Sequence, residues 1–415
     1  MRKEVERLNQ GSAVERLRTL RSLKAEIDET SFSYPKRGTD VNNHIHTTYS
    51  FSPYTPTMAL WRAQTAGLCT AGIVDHDSVS GVREFIEAGR ILDFPITVGA
   101  EIRSDHTATA IGDRRSNNPD QTGIAYLAMH GIPHGSLDNM EEFLRPIRVS
   151  RGKRNRLMCE KLVKIVDIPL NYDQDVLPLS MACEGGSVTE RHLLYALSLK
   201  MIEEYGRGET LIQPIEKFMP LSVKERGILN NIQDQWYDYR LLGIFKARLV
   251  DRFYIPADTE ECPDIYKVVS FANENGIILT YPYLGDVDES PTGDKKAQAF
   301  EDSYLDDLFA SLNELGFKSV SYMPSRNTME QITRLRALCD YYGMLQITGE
   351  DINSPFQSFI CTAQHDPTFS NLYDTTLALI GHEIAASKNL ADGFLNVDMP
   401  LREKVEHFKR IACTL

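Results

Sequence analysis

The chain has no pair of cysteines at CxxC spacing, no run of about 18 apolar residues and no surplus of positive charge. Each absence removes a class of function. Seven scattered cysteines, odd in number, argue against a disulfide framework and a cysteine-rich zinc site, so buried reduced thiols are expected. Without an apolar span, and with a charged opening stretch "MRKEVERLNQ" that lacks a signal-like apolar region, the chain is expected to be soluble and cytoplasmic, with no membrane partner. A net charge of −13 and a pI of about 5.3 disfavour nucleic acid as a partner. A small anionic substrate would need local help, from a metal or an arginine. Glycine (26) and proline (19) are at ordinary levels, which excludes fibrous and low-complexity chains, and 42% hydrophobic residues suffice for a large core.

What is present is a rhythm. Seven short apolar runs punctuate the chain: "DVNNHIH", "CTAGIVD", "FPITVGAEI", "GIAYLAM", "GIILTY", "FKSVSYM" and "GMLQITGED". Between most of them lie helix-period segments such as "TPTMALWRAQTAG" and "MEQITRLRALCDYYG". Strand, helix, strand repeated in this way implies right-handed crossovers and a parallel sheet, and seven units are nearer to a closed barrel than to an open sheet. The fold class is therefore α/β, a seven-stranded TIM-like barrel interrupted by a helical insertion. Residues 1–39 read as a helical extension, 40–137 and 259–362 as the two parts of the barrel, and 363–415 as a helical tail. Residues 138–258 read as helices capping the barrel mouth, with "VKERGILNNIQDQWYDYRLLGIFKARL" helical throughout.

Metal-capable groups collect at strand ends. In a strand, residues i and i+2 share a face, so His44 and His46 point together and reach one cation; an HxH pair alone is also compatible with ordinary edge histidines. "VDHDS" sets His76 between Asp75, able to orient the imidazole, and Asp77, a candidate N-cap for the following helix. Glu101 ends the third run, and Glu350, Asp351 and Asn353 follow the seventh. A carboxylate at the carboxyl end of a barrel strand reads as catalytic more readily than one elsewhere.

Taken in order, HxHTT, DHDSVSG, GAEI, "RGKRNRLMCEKL", "ERHLLYAL", GIILTYP, YMPSRNT and ITGED resemble the polymerase-and-histidinol-phosphatase (PHP) family of metal-dependent phosphoesterases over about residues 40 to 360. The resemblance is strongest to its stand-alone members with a helical insertion, and it implies a distorted (β/α)7 barrel. Complete members bind up to three metals at the mouth. Here Phe51 stands where the family has a ligand after HxHTT, Ala125 or Tyr126 in the fourth strand, Tyr281 in place of the histidine of "AHP", and Asn353 in place of the histidine of "DxH". The resemblance thus implies one intact site, His44, His46, Glu101 and Asp351, and two dismantled ones. Its ligands suit one divalent zinc, iron or manganese, a second metal being less favoured.

Around that site the resemblance implies His76, Arg191 and His192 as catalytic or phosphate-binding groups, and Phe51, Tyr281, Asn353 and Arg326 as substrate-facing ones. The basic run Arg145 to Arg156 reads as a solvated helix face with room for one residue to turn toward the mouth, and His130 or His134 is either a loop histidine or, with a shift of strand register, a replacement for the lost fourth-strand ligand. The function implied is hydrolysis of a small phosphorylated metabolite or nucleotide. The alternatives are a barrel that binds a ligand without turnover, and a one-metal hydrolase of a non-phosphate bond.

Overall fold

All seven apolar runs become strands of one sheet. The computed structural model describes residues 2–29, 34–286 and 299–414. Strands β1 (Val41–Ile45), β2 (Thr70–His76), β3 (Ile96–Asp105), β4 (Ile124–His130), β5 (Ile278–Pro282), β6 (Ser319–Tyr322) and β7 (Leu345–Thr348) lie side by side in chain order. Of the six strand pairings, the four within β1 to β3 and β5 to β7 are parallel, and the two made by β4 are antiparallel. This corrects the all-parallel reading. No helix separates β3 from β4, so the chain turns back through a loop instead of crossing over.

The helices follow the expected alternation. In the leader are α1 (Arg2–Arg7) and α2 (Ala13–Asp28); α3 (Pro56–Ala66) and α4 (Val82–Leu92) connect the first three strands. The insertion after β4 carries five helices: α5 (Leu137–Val166), α6 (Glu190–Tyr205), α7 (Glu209–Glu216), α8 (Val223–Asn230) and α9 (Tyr237–Phe253). After them come α10 (Ile265–Glu274), α11 (Leu305–Leu315), α12 (Met329–Tyr342), α13 (Ser370–Lys388) and α14 (Leu401–Ala412). Local chemistry explains the ends of α3: Thr55 caps the first turn, Pro56 occupies the first helical position, and Gly67 takes the left-handed conformation that stops it. The stretch read as helical throughout is in fact two helices, α8 and α9, with a break at 231–236. Among the described residues no helix is long and apolar enough to cross a membrane. All seven cysteines are free, and Cys183 and Cys413 are exposed, so the expectation of buried thiols holds only in part.

Closure of the barrel depends on very few groups. A parallel bridge joins Ile45 to Ile352, just beyond β7. In it the His46 N–H donates to the Ile352 carbonyl at 3.0 Å, and the Ile352 N–H donates to the His44 carbonyl at 3.1 Å. Below the bridge, buried side-chain amides take over from the backbone. Asn42 Nδ2 donates to the Glu350 carbonyl at 3.0 Å, and Asn43 Nδ2 to the Thr348 carbonyl and to Thr376 Oγ1 on α13, each at 2.8 Å. Asparagine is a poor strand former, but here its amides satisfy polar groups that a ladder would otherwise pair. A Cβ at Gly349 would stand 2.6 Å from the His44 Cβ, so only glycine permits this approach.

Helices α5 to α9 carry an apolar cluster of their own, including Met158, Leu162, Leu194, Leu197, Leu211 and Phe245, and Phe51 is the residue outside the β4–β5 segment that joins it. Buried charge completes the attachment. Arg151 on α5 donates to Asp77 at 2.5 Å, while Arg154 grips both carboxylate oxygens of Glu261 at 2.5 and 2.8 Å. Arg103 on β3 reaches the same Glu261. Of the basic run, then, Arg151 and Arg154 are buried, whereas Arg145, Lys153 and Arg156 are exposed. Removing one partner of such a pair leaves uncompensated buried charge, so Glu261→Ala is expected to cost about 3–5 kcal/mol of stability. Urea unfolding checks this; Asp173→Asn, which breaks the exposed pair with Arg156, should leave the midpoint nearly unchanged.

Candidate metal centre

The ladder and the closure bring the strand ends together. His44 and His46 come from β1 and its exit; β2 and β3 pair in register with His76 opposite Glu101. The bridge at Ile352 carries Asp351 alongside. His46 Nε2 lies 3.3 Å from Asp351 Oδ1 and 3.9 Å from Glu101 Oε2, and His44 Nε2 lies 3.7 Å from the same Glu101 oxygen. His76 Nδ1 is hydrogen-bonded to it at 2.9 Å. Among the described residues, His44, His46 and Glu101 form the one cluster able to hold a metal ion, with one ligand atom from each within 4.8 Å of the others.

The electrostatics favour a cation. Burial alone would drive Glu101 neutral, but the imidazoles of His76 and His44 hold it well below the usual carboxylate range. Burial would likewise raise Asp351, yet its hydrogen bond and attraction to His46 keep it low. Two carboxylates that stay ionised beside two imidazoles, Glu101 buried and Asp351 partly exposed, make a donor set whose charge cancels that of a divalent ion. These residues fit the group.

The other predicted residues are placed unequally. Asn353 Nδ2 donates to Asp351 Oδ1 at 2.6 Å, so it orients the carboxylate beside His46. Phe51 is buried, its ring set edge-on to His192 at 4.9 Å and near Tyr195 and Tyr239. Arg191 joins Phe51 and Asn353 in lining a cleft of about 460 Å³ that also includes Tyr239, Phe356, Lys224 and Lys246. Its charge helps to lower Asp351.

Several of the expected placements differ in the structure. His192 does not face the centre: its Nδ1 accepts from the Thr189 N–H at 3.0 Å and closes the capping box of α6, and burial with Arg151 pushes the imidazole down to about 3. Tyr281 turns away, because Thr280 pairs with Ala128 and Ala128 with Glu101, leaving Tyr281 on the opposite face. Its hydroxyl donates to Glu301 at 2.8 Å. Arg326 braces the exit of β5, its Nε donating to the Leu284 carbonyl at 2.9 Å. Asp77 caps no helix; α4 has Gly81 in that position, and Asp77 receives Arg151 instead. In the fourth strand Tyr126, not Ala125, shares the inner face, 6.1 Å from the His76 ring. His130 lies deeper, opposite Gly99, and His134 lies 3.8 Å from Glu383, so neither replaces the fourth-strand ligand.

Sequence reasoning missed the supports. Asp75, expected beside His76, accepts instead from the Thr47 N–H, Thr47 Oγ1 and Ser50 Oγ. The hydroxyl-rich "TTYS" directly after HxH was the available signal. Asn42, Asn43 and Gly349 were equally visible as residues, but their role appears only with barrel closure.

No family model matches the chain. Over 94 residues, 22% of its length, it is 34% identical to the error-prone DNA polymerases of Mycobacterium bovis and Mycobacterium tuberculosis. It matches 8% of the length of those relatives. A crystal structure from Bifidobacterium adolescentis, assigned as a metal-dependent phosphoesterase, superimposes with a TM-score of 0.52 at 20% identity, covering 84% of this chain and 100% of the other. An amidohydrolase from Chromobacterium violaceum gives 0.50 at 14% identity, covering 78% and 90%. At such identities the likeness establishes the fold alone.

Glu301, behind the sheet, supplies a pH test. Burial outweighs its hydrogen bonds and raises the carboxyl from 4.5 to about 7. Since the folded value lies above the unfolded one, the protonated form's stabilisation is complete below 4.5 and is lost as pH rises through about 7. Relative to Glu301→Gln, the wild type should therefore lose urea resistance across that window; parallel curves for the two proteins would contradict the assignment.

Proposed function

We propose that the chain is a metal-dependent phosphoesterase of the PHP family that uses one divalent cation to hydrolyse a small phosphorylated metabolite or nucleotide. The observation that carries this reading is the convergence of His44, His46, Glu101 and Asp351 from separate strand ends, with 3.3 to 3.9 Å between the facing atoms. His44, His46, Glu101 and Asp351 would hold the ion. When bound, a zinc, iron(II) or manganese(II) ion polarises a phosphoryl oxygen and acidifies water.

The chain's own residues do the rest. His76 has Nδ1 fixed on Glu101, so Nε2 is the atom that gives or takes a proton. Arg191, on the cleft wall beside Asn353, supplies a guanidinium suited to bidentate contact with phosphate oxygens. Phe356, exposed on the cleft wall, offers its ring to the organic part of the substrate, and the basic groups of the cleft answer its charge within an otherwise acidic protein.

A second reading, one-metal hydrolysis of an amide or lactone, is favoured by one observation. Phe51 and Asn353 are committed to packing and to Asp351, so a two-metal clamp on attacking and leaving oxygens is missing. Phosphate release from a panel of phosphomonoesters by protein loaded with each metal tests the proposal. Release is expected from wild type and not from His46→Ala. Arg191→Ala should lower kcat/KM by roughly 10- to 100-fold, the worth of a hydrogen bond to a charged group. Amide or lactone hydrolysis without phosphate release would transfer the function to the second reading, and metal uptake without turnover of any substrate would leave a ligand-binding barrel.

A further inference from the structure

Asp75 is 1% exposed, and each group bonded to it is a donor. The Thr47 N–H reaches Oδ1 at 2.7 Å, Ser50 Oγ reaches Oδ1 at 2.6 Å, and Thr47 Oγ1 reaches Oδ2 at 2.6 Å. Three donors converge on this one carboxylate, so each of these hydrogen bonds runs toward Asp75. Ser50 has a single hydroxyl proton. Given to Asp75, it leaves the Ser50 oxygen with lone pairs only toward its other neighbour, His46 Nδ1, at 3.2 Å. That nitrogen must then be the donor. In the neutral imidazole that binds a cation only one nitrogen is protonated, so with the proton on Nδ1 the lone pair lies on Nε2, the atom that faces Asp351 and Glu101.

We infer that Ser50 and Asp75 are positioning residues that hold His46 in its Nδ1-protonated tautomer and keep Nε2 open for a cation. The proposal rests on the metal reading above for its purpose, but the hydrogen-bond sense stands on this chain alone. An acid–hydroxyl–imidazole chain of this kind sets both ring orientation and ligand basicity one step behind the centre. It also gives the hydroxyls of "HTTYS" a task, since Thr47 and Ser50 between them satisfy a buried carboxylate that would otherwise be costly.

The test uses the full-length, metal-free protein with ¹⁵N-labelled histidine. Long-range ¹H–¹⁵N correlation spectra report the protonation of each ring nitrogen, and the His46 signals are those missing from His46→Ala. The expected result is a proton held on Nδ1, whether or not Nε2 also carries one toward Asp351. Ser50→Ala and Asp75→Asn should release it to a mixture or to the Nε2-protonated form, and weaken zinc binding by about 10- to 100-fold in chelator competition. Ser50→Ala removes one oxygen only, so it keeps the test open if Asp75→Asn fails to fold. A wild-type His46 with Nδ1 unprotonated, or a Ser50→Ala spectrum with the Nδ1 proton unchanged, would overturn the proposal. Because the spectra need no metal, they decide the relay separately; failure of wild type to bind zinc would count against the metal reading instead.

Discussion

The candidate metal centre is assembled by closure of the barrel, and the barrel closes through one backbone bridge between Ile45 and Ile352. It sets His46, near the start of the barrel, 3.3 Å from Asp351, near its end. So few ladder bonds would be a weak seam on their own. Asn42, Asn43 and Gly349 reinforce it, two by spending side-chain amides on backbone carbonyls and one by having no side chain to obstruct. Helix α13 adds the Thr376 hydroxyl from below.

Positions that the family resemblance marks as lost ligands have been put to structural use. Asn353 orients Asp351, Phe51 anchors the barrel to the apolar cluster of the β4–β5 helices, and Tyr281 binds Glu301 behind the sheet. Each exchange replaces a group that would need a cation with one satisfied by protein atoms alone. Isolated imidazoles or carboxylates left at those places would be buried and unpaired, which is costly. A reduced site is therefore coherent as a structure: what remains is the set His44, His46, Glu101 and Asp351, with His76 bonded to Glu101 as its close neighbour.

Strands were legible in the sequence because a period of two and short apolar runs are local signals, and all seven were found. The direction of β4 was not, since strand polarity depends on what connects β3 to β4 rather than on either strand. Residue type likewise announced His44, His46 and Glu101, because few side chains other than ligands explain such groups at strand ends. It misjudged His192 and Tyr281, whose side-chain directions are set by a helix cap and by sheet register. It also underestimated Arg151 and Arg154: a basic run on a helix looks solvated until Asp77 and Glu261, distant in the chain, are seen to meet it.

The proposed function places one cation, and only one, at the His44, His46, Glu101 and Asp351 cluster. Anomalous diffraction recorded at the zinc or manganese edge, from crystals grown with that metal, tests it most directly. The account predicts a single strong peak at coordination distance, about 2.0–2.2 Å, from both imidazoles and the Glu101 carboxylate. No peak there, or further peaks bound through His76 or beside Phe51, would contradict it.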